Sequence, residues 1–246
     1  MVAYGKTDVG RVRVSNQDAY CILELPDGAL LTVVCDGMGG ANAGNVASEQ
    51  ATRAVSEFIH SSYRKSLTPN EVSKMLQNAI LSANIGVYDM SLKSPELKGM
   101  GTTVVAAVVS KDFTVIAHVG DSRAYIISND VKQLTRDHSI VQTLLESGKL
   151  TPDEARVHPR KNVITRALGT EENVLVDTAE YPPLGVGEKL LLCSDGFTNY
   201  VETSEIKEIF DKNSIDRVAE VMVARANHNG GGDNITVIAV GAEQKG

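Results

Sequence analysis

Four aspartates in the sequence stand at the ends of apolar segments, where a β-sheet would present them side by side. Asp36, Asp121 and Asp195 follow apolar runs of β type, and Asp233 stands just before another such run. In an antiparallel sheet the start of one strand lies beside the ends of its neighbours, so the four carboxylates can gather at one edge. One aspartate beside a glycine is ordinary turn chemistry, but four such positions favour a site.

Carboxylates collected this closely cannot all stay ionised without a compensating charge. A hard divalent cation supplies it, because oxygen-only ligands suit Mg²⁺ or Mn²⁺ rather than Zn²⁺ or Cu²⁺. Gly37, directly after Asp36, would let its backbone carbonyl approach an ion. Two such metal ions can activate a water molecule and neutralise a phosphoryl group. The sequence therefore predicts a metal centre for hydrolysis of phosphate esters.

A cationic side chain is also needed for the phosphate oxygens. Arg11 and Arg13 stand just before a predicted strand. A guanidinium group binds phosphate as a bidentate fork, so either arginine could hold the substrate.

Seven strands are predicted from apolar segments rich in β-branched residues. Several are separated only by short turns, which join antiparallel neighbours, because a parallel pair needs a crossover of about a dozen residues. The predicted strands cover residues 19–25, 30–35, 103–109, 114–119, 124–128, 189–193 and 235–240.

Helical spacing of apolar residues predicts three helices. One starts near Ala47, the second follows a capping box at 68–71 and continues to Val87, and the third covers 215–226 with Ser214 as its cap.

The segment 137–170 is polar and helix-like, with a second capping box at 151–154, and predicts a flap between strands. Helices grouped around antiparallel sheets make an α+β layered sandwich. Because no linker or repeat interrupts the chain, residues 1–246 are predicted to form one domain, with the flap as its subdomain.

The composition limits the classes of binding partner and the cellular compartment that we expect for this protein. The net charge of −7 and the 4% aromatic content argue against nucleic acid and against an anionic membrane. No secretory signal or membrane-spanning run is visible. The three cysteines show no ligand spacing and are expected to be reduced and buried. We therefore expect a cytoplasmic protein.

The ordered motifs of the whole chain resemble the type 2C, metal-dependent serine/threonine protein phosphatase family, and most closely its compact bacterial members. Each motif is common, whereas the ordered set is specific. The motifs are Thr7-Asp8-Val9-Gly10 with Arg13, Asn16-Gln17-Asp18, Asp36-Gly37-Met38-Gly39-Gly40, Met100-Gly101-Thr102-Thr103, Val119-Gly120-Asp121-Ser122-Arg123, Asp137-His138-Ser139, Ser194-Asp195-Gly196 and Gly232-Asp233-Asn234.

The resemblance implies a four-layer α/β-β/α sandwich, in which helices flank two packed antiparallel sheets. It also implies two Mn²⁺ or Mg²⁺ ions in a core site. Asp36 would bridge both ions, the Gly37 carbonyl would complete one of them, and Asp195 and Asp233 would hold the other.

A third ion would lie at Asp121 with Asp195, and Asp18 would act through bound water. Arg13 aligns with the phosphate-binding arginine, which leaves Arg11 at the surface. The catalytic set implied is Asp36, Arg13, Asp195 and Asp233.

The implied reaction is in-line attack of a metal-bridging hydroxide on phosphoserine or phosphothreonine in proteins, without a phosphoenzyme. The implied partners are phosphorylated proteins, including a cognate serine/threonine kinase and its substrates. We expect neither nucleic acid nor a membrane as a partner, and we expect a monomer.

Two residues depart from the pattern of eukaryotic relatives. Gln17 replaces a glutamate that helps to hold an ion, and Met38 replaces a histidine proposed as general acid. The proton donor is therefore open, with metal-bound water and the flap residue His158 as candidates; His158 is also a candidate for substrate binding. His138 is expected to order the start of the flap, and His118 to be buried.

Two alternatives are weighed against this interpretation. A haloacid-dehalogenase-type hydrolase needs a second aspartate two positions after its nucleophile, where Met38 stands, and a parallel sheet. A catalytically silent regulatory domain of the same fold would have lost metal ligands, yet Asp36, Asp195 and Asp233 are all present.

Overall fold

The computed structural model describes residues 1–40 and 43–242. Two antiparallel sheets are stacked at its centre. The first sheet has the strand order β1 (Val2–Asp8), β11 (Ile235–Gly241), β10 (Lys189–Cys193), β7 (Arg123–Ile127) and β8 (Val131–Gln133). The second has the order β2 (Asp18–Glu24), β3 (Leu30–Met38), β5 (Val104–Val109), β6 (Thr114–Val119) and β9 (Asp177–Tyr181), with β4 (Gly101–Thr102) also paired to β3.

Helices cover the outer face of each sheet. The second sheet carries α1 (Ala43–Ser62) and α2 (Pro69–Lys93), and the first carries α6 (Thr203–Lys212) and α7 (Ile215–His228). The remaining helices are short: a 3₁₀ turn at Pro95–Leu97, α3 (Ile140–Glu146), α4 (Pro152–Val157) and α5 (Asp195–Thr198).

Strand β3 shows how alternation builds the layers. Val33 and Cys35 belong to the core shared with α1 and α2, whereas Val34 belongs to the core between the sheets. This alternation is what a strand buried on both faces requires, because successive side chains point to opposite sides. A third core lies between the first sheet and α7. The prediction of a four-layer α+β sandwich of antiparallel sheets is confirmed.

Several predicted boundaries shift in the structure. The first helix begins at Ala43, before Ala47, and the second continues past Val87 to Lys93. Ser214 stands at the N-cap position of α7, but its side chain makes no capping hydrogen bond. Sequence reasoning missed four strands, two α-helices and the 3₁₀ turn: β1, β4, β8, β9, α5, α6 and Pro95–Leu97.

The flap contains α3 and α4 and no strand within 137–170, as predicted. Both capping boxes are present, at Thr68 before α2 and at Thr151 before α4. Two isolated β-bridges fix the flap at its base, Ser139 to Ile164 and Thr102 to Leu168. No helix of the described residues is both long and apolar enough to span a bilayer.

Candidate active site

The four aspartates meet at one edge of the sandwich. Asp121 lies in the turn between β6 and β7, Asp195 is the first residue of α5, and Asp233 lies in the turn before β11. Asp36 lies inside β3, which runs on to Met38 rather than ending before the aspartate. All four line one cavity of about 240 Å³. Gly37 and Arg13 line the same cavity.

Asp18 lies behind this cavity rather than on its surface. It is the register partner of Asp36 across β2 and β3 and is only 8% exposed. The Ser194 hydroxyl donates to its Oδ2 over 2.8 Å, whereas its Oδ1 is buried with no hydrogen-bond partner among the described residues.

Burial and mutual repulsion change the acidity of these carboxyls. Burial raises the pKa of Asp18 to about 7, with Asp195 and Asp233 adding to the rise against hydrogen bonds that lower it. Burial, followed by the charge of Asp18, raises the pKa of Asp36 well above its ordinary value. The pKa of Asp121 is also raised by burial and then by Asp195, and that of Asp195 by burial and then by Asp233.

These observations fit a divalent cation. A cluster of buried carboxylates whose pKa values are raised by one another needs a positive charge to become fully ionised. The orphaned Oδ1 of Asp18 is a buried acceptor that a metal-bound water could satisfy. The acidic ligands offer oxygen atoms, the donor that Mg²⁺ and Mn²⁺ prefer.

Two residues that sequence reasoning did not assign hold Asp36 in place. Thr103 Oγ1 accepts a hydrogen bond from the backbone N–H of Asp36 over 3.0 Å. The hydroxyl of Ser122 lies 2.7 Å from the Thr103 hydroxyl, which ties the strand to the Asp121 turn. Both residues belong to the motifs on which the family resemblance rests. A motif indicates that a residue is of interest but does not show which contacts its side chain makes.

Arg13 reaches the site from the loop between β1 and β2. Its Nη2 donates to Asp233 Oδ2 over 2.8 Å, while its side chain remains 53% exposed to solvent. A guanidinium at this place can also contact an anion in the cavity. Arg11 does not line the cavity, in agreement with its expected surface role.

His158 is not brought to the aspartates. It is the C-cap residue of α4, and its Nδ1 accepts a hydrogen bond from the backbone N–H of Arg160 over 3.2 Å. It does not line the aspartate cavity, whereas the flap residues Asn162 and Ile164 do. Nothing in the sequence distinguished these two residues from the rest of the flap.

A second cavity, of about 290 Å³, continues beneath the flap. It shares Asp121, Asn162 and Asp195 with the aspartate cavity, so the two cavities adjoin at these residues. Its other lining residues include residues of α3, α4 and the segment 198–206, together with Arg123 and Tyr125 of β7. The aspartate centre is therefore bordered by the flap on one side.

His138 joins the flap to the sheet in a buried polar network. Its Nδ1 accepts from the Gly120 N–H over 3.0 Å, and its Nε2 lies 3.2 Å from Asp177 Oδ2. Its ring also stacks on that of the buried His118. Arg166 donates to Asp177 over 2.7 Å, so this His–His–Asp group is already hydrogen-bonded and charge-balanced. The expectation that His118 is buried is confirmed.

Comparison with known proteins identifies the family. The family model described as "Protein phosphatase 2C" matches residues 11–231. The chain belongs to the protein phosphatase 2C family. The serine/threonine phosphatase Stp of Listeria innocua is 44% identical over 98% of this chain and 95% of its own length. The predicted family is thereby confirmed, as is the prediction of a protein-serine/threonine phosphatase.

Solved structures agree with the fold of this phosphatase. The serine/threonine phosphatase Stp1 from Staphylococcus aureus superposes with a TM-score of 0.91 at 37% identity, covering 98% of this chain and 94% of its own. The catalytic domain of the phosphatase PstP, solved in complex with two manganese ions, gives a TM-score of 0.85 at 29% identity, with 97% and 96% covered. The phosphatase thus belongs to a metal-dependent family.

Proposed function

We propose that this phosphatase hydrolyses phosphoserine and phosphothreonine side chains of proteins at the aspartate cavity. The observation that carries the proposal is the convergence of Asp36, Asp121, Asp195, Asp233 and Arg13 on one cavity. An anionic substrate enters a carboxylate-lined cavity only when cations are present to neutralise it, which is why metal and arginine belong together in one mechanism.

The cations are Mn²⁺ or Mg²⁺, two in the core of the site and a third at its side. Asp36, the Gly37 carbonyl, Asp195 and Asp233 would hold the core ions. Asp121 and Asp195 would hold the third ion, and the buried Oδ1 of Asp18 would act through water. Bound there, divalent cations lower the pKa of water and offset the charge of the phosphoryl oxygens.

Arg13 binds the phosphoryl oxygens through its guanidinium and so fixes the phosphorus for in-line attack by water. The bond from water oxygen to phosphorus forms, the bond to the side-chain oxygen breaks, and inorganic phosphate and the free hydroxyl leave. In this role Arg13 exchanges part of its contact with Asp233 for the substrate.

The surroundings of the cavity favour water over a protein nucleophile. Burial raises the pKa of both Cys35 and Cys193 to about 12, so neither thiol is a thiolate at neutral pH. The hydroxyl of Thr103 is already hydrogen-bonded to the Asp36 N–H and to the Ser122 hydroxyl. A dehalogenase-type site would also need a second aspartate two positions after Asp36, and Met38 stands there instead. We therefore propose direct hydrolysis without a phosphoenzyme.

The proton for the leaving oxygen comes from water in the cavity. Met38 lines the cavity and has no proton to donate. No histidine is among the described residues that line it.

The physiological setting proposed is a cytoplasmic one. A single catalytic domain, acting as a monomer, would oppose a serine/threonine kinase by dephosphorylating the kinase and its substrates. Neither nucleic acid nor a membrane has a part in this proposal.

Purified protein, assayed with phosphothreonine and phosphoserine peptides, tests the reaction. We expect phosphate release with Mn²⁺ or Mg²⁺ and none in EDTA. A folded protein that binds Mn²⁺ yet releases no phosphate from either peptide would favour the silent regulatory domain instead.

A further inference from the structure

The loop 9–17 between β1 and β2 carries Arg13 and contains no helix or strand. Its residues 11–14 are exposed, so packing against a core cannot fix the arginine. An exposed arginine side chain has much rotamer freedom, and a mobile loop would add backbone freedom to it. A phosphate-binding residue that must keep a fixed position therefore needs its loop held by other contacts.

Asn234 supplies such contacts. Asn234 is only 5% exposed, and all three hydrogen bonds of its side chain go to the backbone of this loop. Its Nδ2 donates to the carbonyl oxygens of Val9 and Ser15 over 3.0 and 2.9 Å. Its Oδ1 accepts from the N–H of Gln17 over 2.8 Å.

The three contacts lie on both sides of Arg13 along the chain. Val9 precedes the arginine, and Ser15 and Gln17 follow it. A single side chain thus closes the loop at its base and leaves residues 11–14 to project from a fixed frame. Because the amide has two donors and one acceptor in use, no other natural side chain of this size can make the same three bonds.

The loop also lies directly on the segment 231–233. The backbone N–H of Arg11 donates to the Gly231 carbonyl over 2.7 Å. Gly10 has a φ of +83°, and a Cβ there would lie 2.1 Å from the carbonyl oxygen of Asp233. These contacts bring the first half of the loop to the metal-binding turn. Its second half is held by Asn234, and also by Asn16 Nδ2, which donates to Thr7 Oγ1 over 2.8 Å, and by the Gly37 N–H, which donates to the Gln17 carbonyl over 3.0 Å.

We propose that Asn234 is the positioning residue for Arg13. Asn234 itself lines the cavity, but its side-chain amide is bonded to the loop backbone, and it holds the loop so that the guanidinium stands over the cavity beside Asp233. The proposal rests on the proposed phosphatase function, since Arg13 must bind the phosphoryl group for its position to matter.

A double-mutant cycle tests the coupling. Asn234→Ala, Arg13→Ala and the double variant are compared with wild type by kcat/KM on a phosphothreonine peptide with saturating Mn²⁺. Asn234→Ala alone is expected to lower kcat/KM by roughly 10- to 100-fold, the cost of a misplaced binding group. In the Arg13→Ala background it is expected to cost less than about twofold, because residues that act through one another are not additive.

Asn84 is a matched control. It is buried and also makes three bonds to a backbone loop, donating to the carbonyls of Glu171 and Glu172 and accepting from the N–H of Gly169. Asn84→Ala should lower the Tm as Asn234→Ala does. Whatever it does to kcat/KM should be the same with Arg13 or Ala at position 13.

Amide hydrogen exchange of the metal-free protein gives a second measurement that needs no activity. Asn234→Ala should speed exchange at Gln17, whereas Asn84→Ala should not. If Asn234→Ala does not fold, Asn234→Leu takes its place, because it nearly keeps the side-chain size and removes both the donors and the acceptor for Gln17.

Two results would overturn the proposal. One is a loss of activity in Asn234→Ala that is equally large in the Arg13→Ala background, and the other is unchanged exchange at Gln17. A wild type without phosphatase activity would refute the proposed function, and the exchange measurement would still decide whether Asn234 holds the loop.

Discussion

Asp18 and Asp36 are register partners on the neighbouring strands β2 and β3. Directly opposed residues of an antiparallel pair project to the same face of the sheet, so two carboxyl groups stand side by side in a buried place. Like charges directly opposite each other are destabilising. The protein keeps this pair although it costs stability, which supports a function for it in holding cations.

The first prediction concerns stability without metal. The native state holds the Asp18 proton up to about pH 7, whereas an ordinary carboxyl releases it near 3.8. Between these values the native state binds more protons, so stability falls as the pH rises. Asp18→Asn removes this cost and should raise the Tm in EDTA at pH 8 by about 4 °C or more.

The same substitution should raise the Tm less at pH 5, because pH 5 lies only about one unit above the ordinary carboxyl pKa of 3.8 and most of the cost builds up between pH 5 and about pH 7. Thermal unfolding of both proteins in EDTA, at pH 5 and pH 8, checks this. A Tm difference that is the same at both pH values would contradict an Asp18 carboxyl with a raised pKa.

The second prediction concerns the phosphate clamp. Arg13→Lys keeps the charge but loses the bidentate fork, so kcat/KM on a phosphopeptide should fall about tenfold, equivalent to ~1.5 kcal/mol. Arg13→Ala should cost more. Arg11→Ala serves as the control and should stay within about twofold, the range of a surface substitution. Equal losses from Arg11 and Arg13 would argue for a general effect of charge.

A third prediction compares two glycines of the same segment. A Cβ on Gly37 would lie 2.1 Å from the carbonyl oxygen of Gly44 and 2.5 Å from that of Gln17, and neither backbone atom can move easily. Gly37→Ala should therefore lower the free energy of unfolding by about 3 kcal/mol. Gly40→Ala, whose Cβ meets no atom of the described residues within 4 Å, should change it by less than about 1 kcal/mol. Urea denaturation measures both, and equal effects would refute the steric argument.

The fourth prediction separates two flap residues. His158 lies outside the aspartate cavity, whereas Asn162 lines it. His158→Ala should leave kcat/KM within about twofold, and Asn162→Ala should lower it by more than that. Steady-state kinetics of both variants on one phosphothreonine peptide measures this difference in kcat/KM. A fall in kcat of more than about tenfold in His158→Ala would instead support His158 as the proton donor.

Structural features that depend on residues close together in the sequence could be predicted from it. The capping boxes at Thr68 and Thr151 depend on residues three positions apart, and both are present. The apolar strands that carry the aspartates are buried on both faces and read as continuous runs. Antiparallel geometry predicted that Asp36, Asp121, Asp195 and Asp233 gather at one edge. Their meeting also depends on the stacking of the two sheets, because Asp36 lies on the second sheet whereas Asp195 and Asp233 adjoin strands of the first.

The missed elements had weaker local signals. Strand β9 alternates half-buried and exposed residues at a sheet edge, and β8 has only three residues. Helix α6 has a glutamate, Glu202, at its N-cap in place of a serine or threonine. A hydrophobic pattern detects burial, so elements with few buried residues escape it.

Contacts between residues that are far apart in the sequence could not be predicted from it at all. Asn234 holds Val9 and Ser15, which are more than 200 residues away in sequence. The motif marked Asn234 as a residue of interest but did not show what its amide binds. The same is true of Ser194, whose hydroxyl reaches Asp18. Only the fold shows which backbone groups such side chains satisfy.

The most direct test of the account is phosphate release from a phosphothreonine peptide by wild type and Asp195→Asn, each with Mn²⁺ and with EDTA. The substitution keeps the shape of the side chain at the start of α5 and removes its charge. We expect wild-type activity that disappears in EDTA, and a loss of about 100-fold or more in Asp195→Asn. Activity that persists in EDTA, or an unimpaired Asp195→Asn, would contradict the account of a carboxylate-held metal centre.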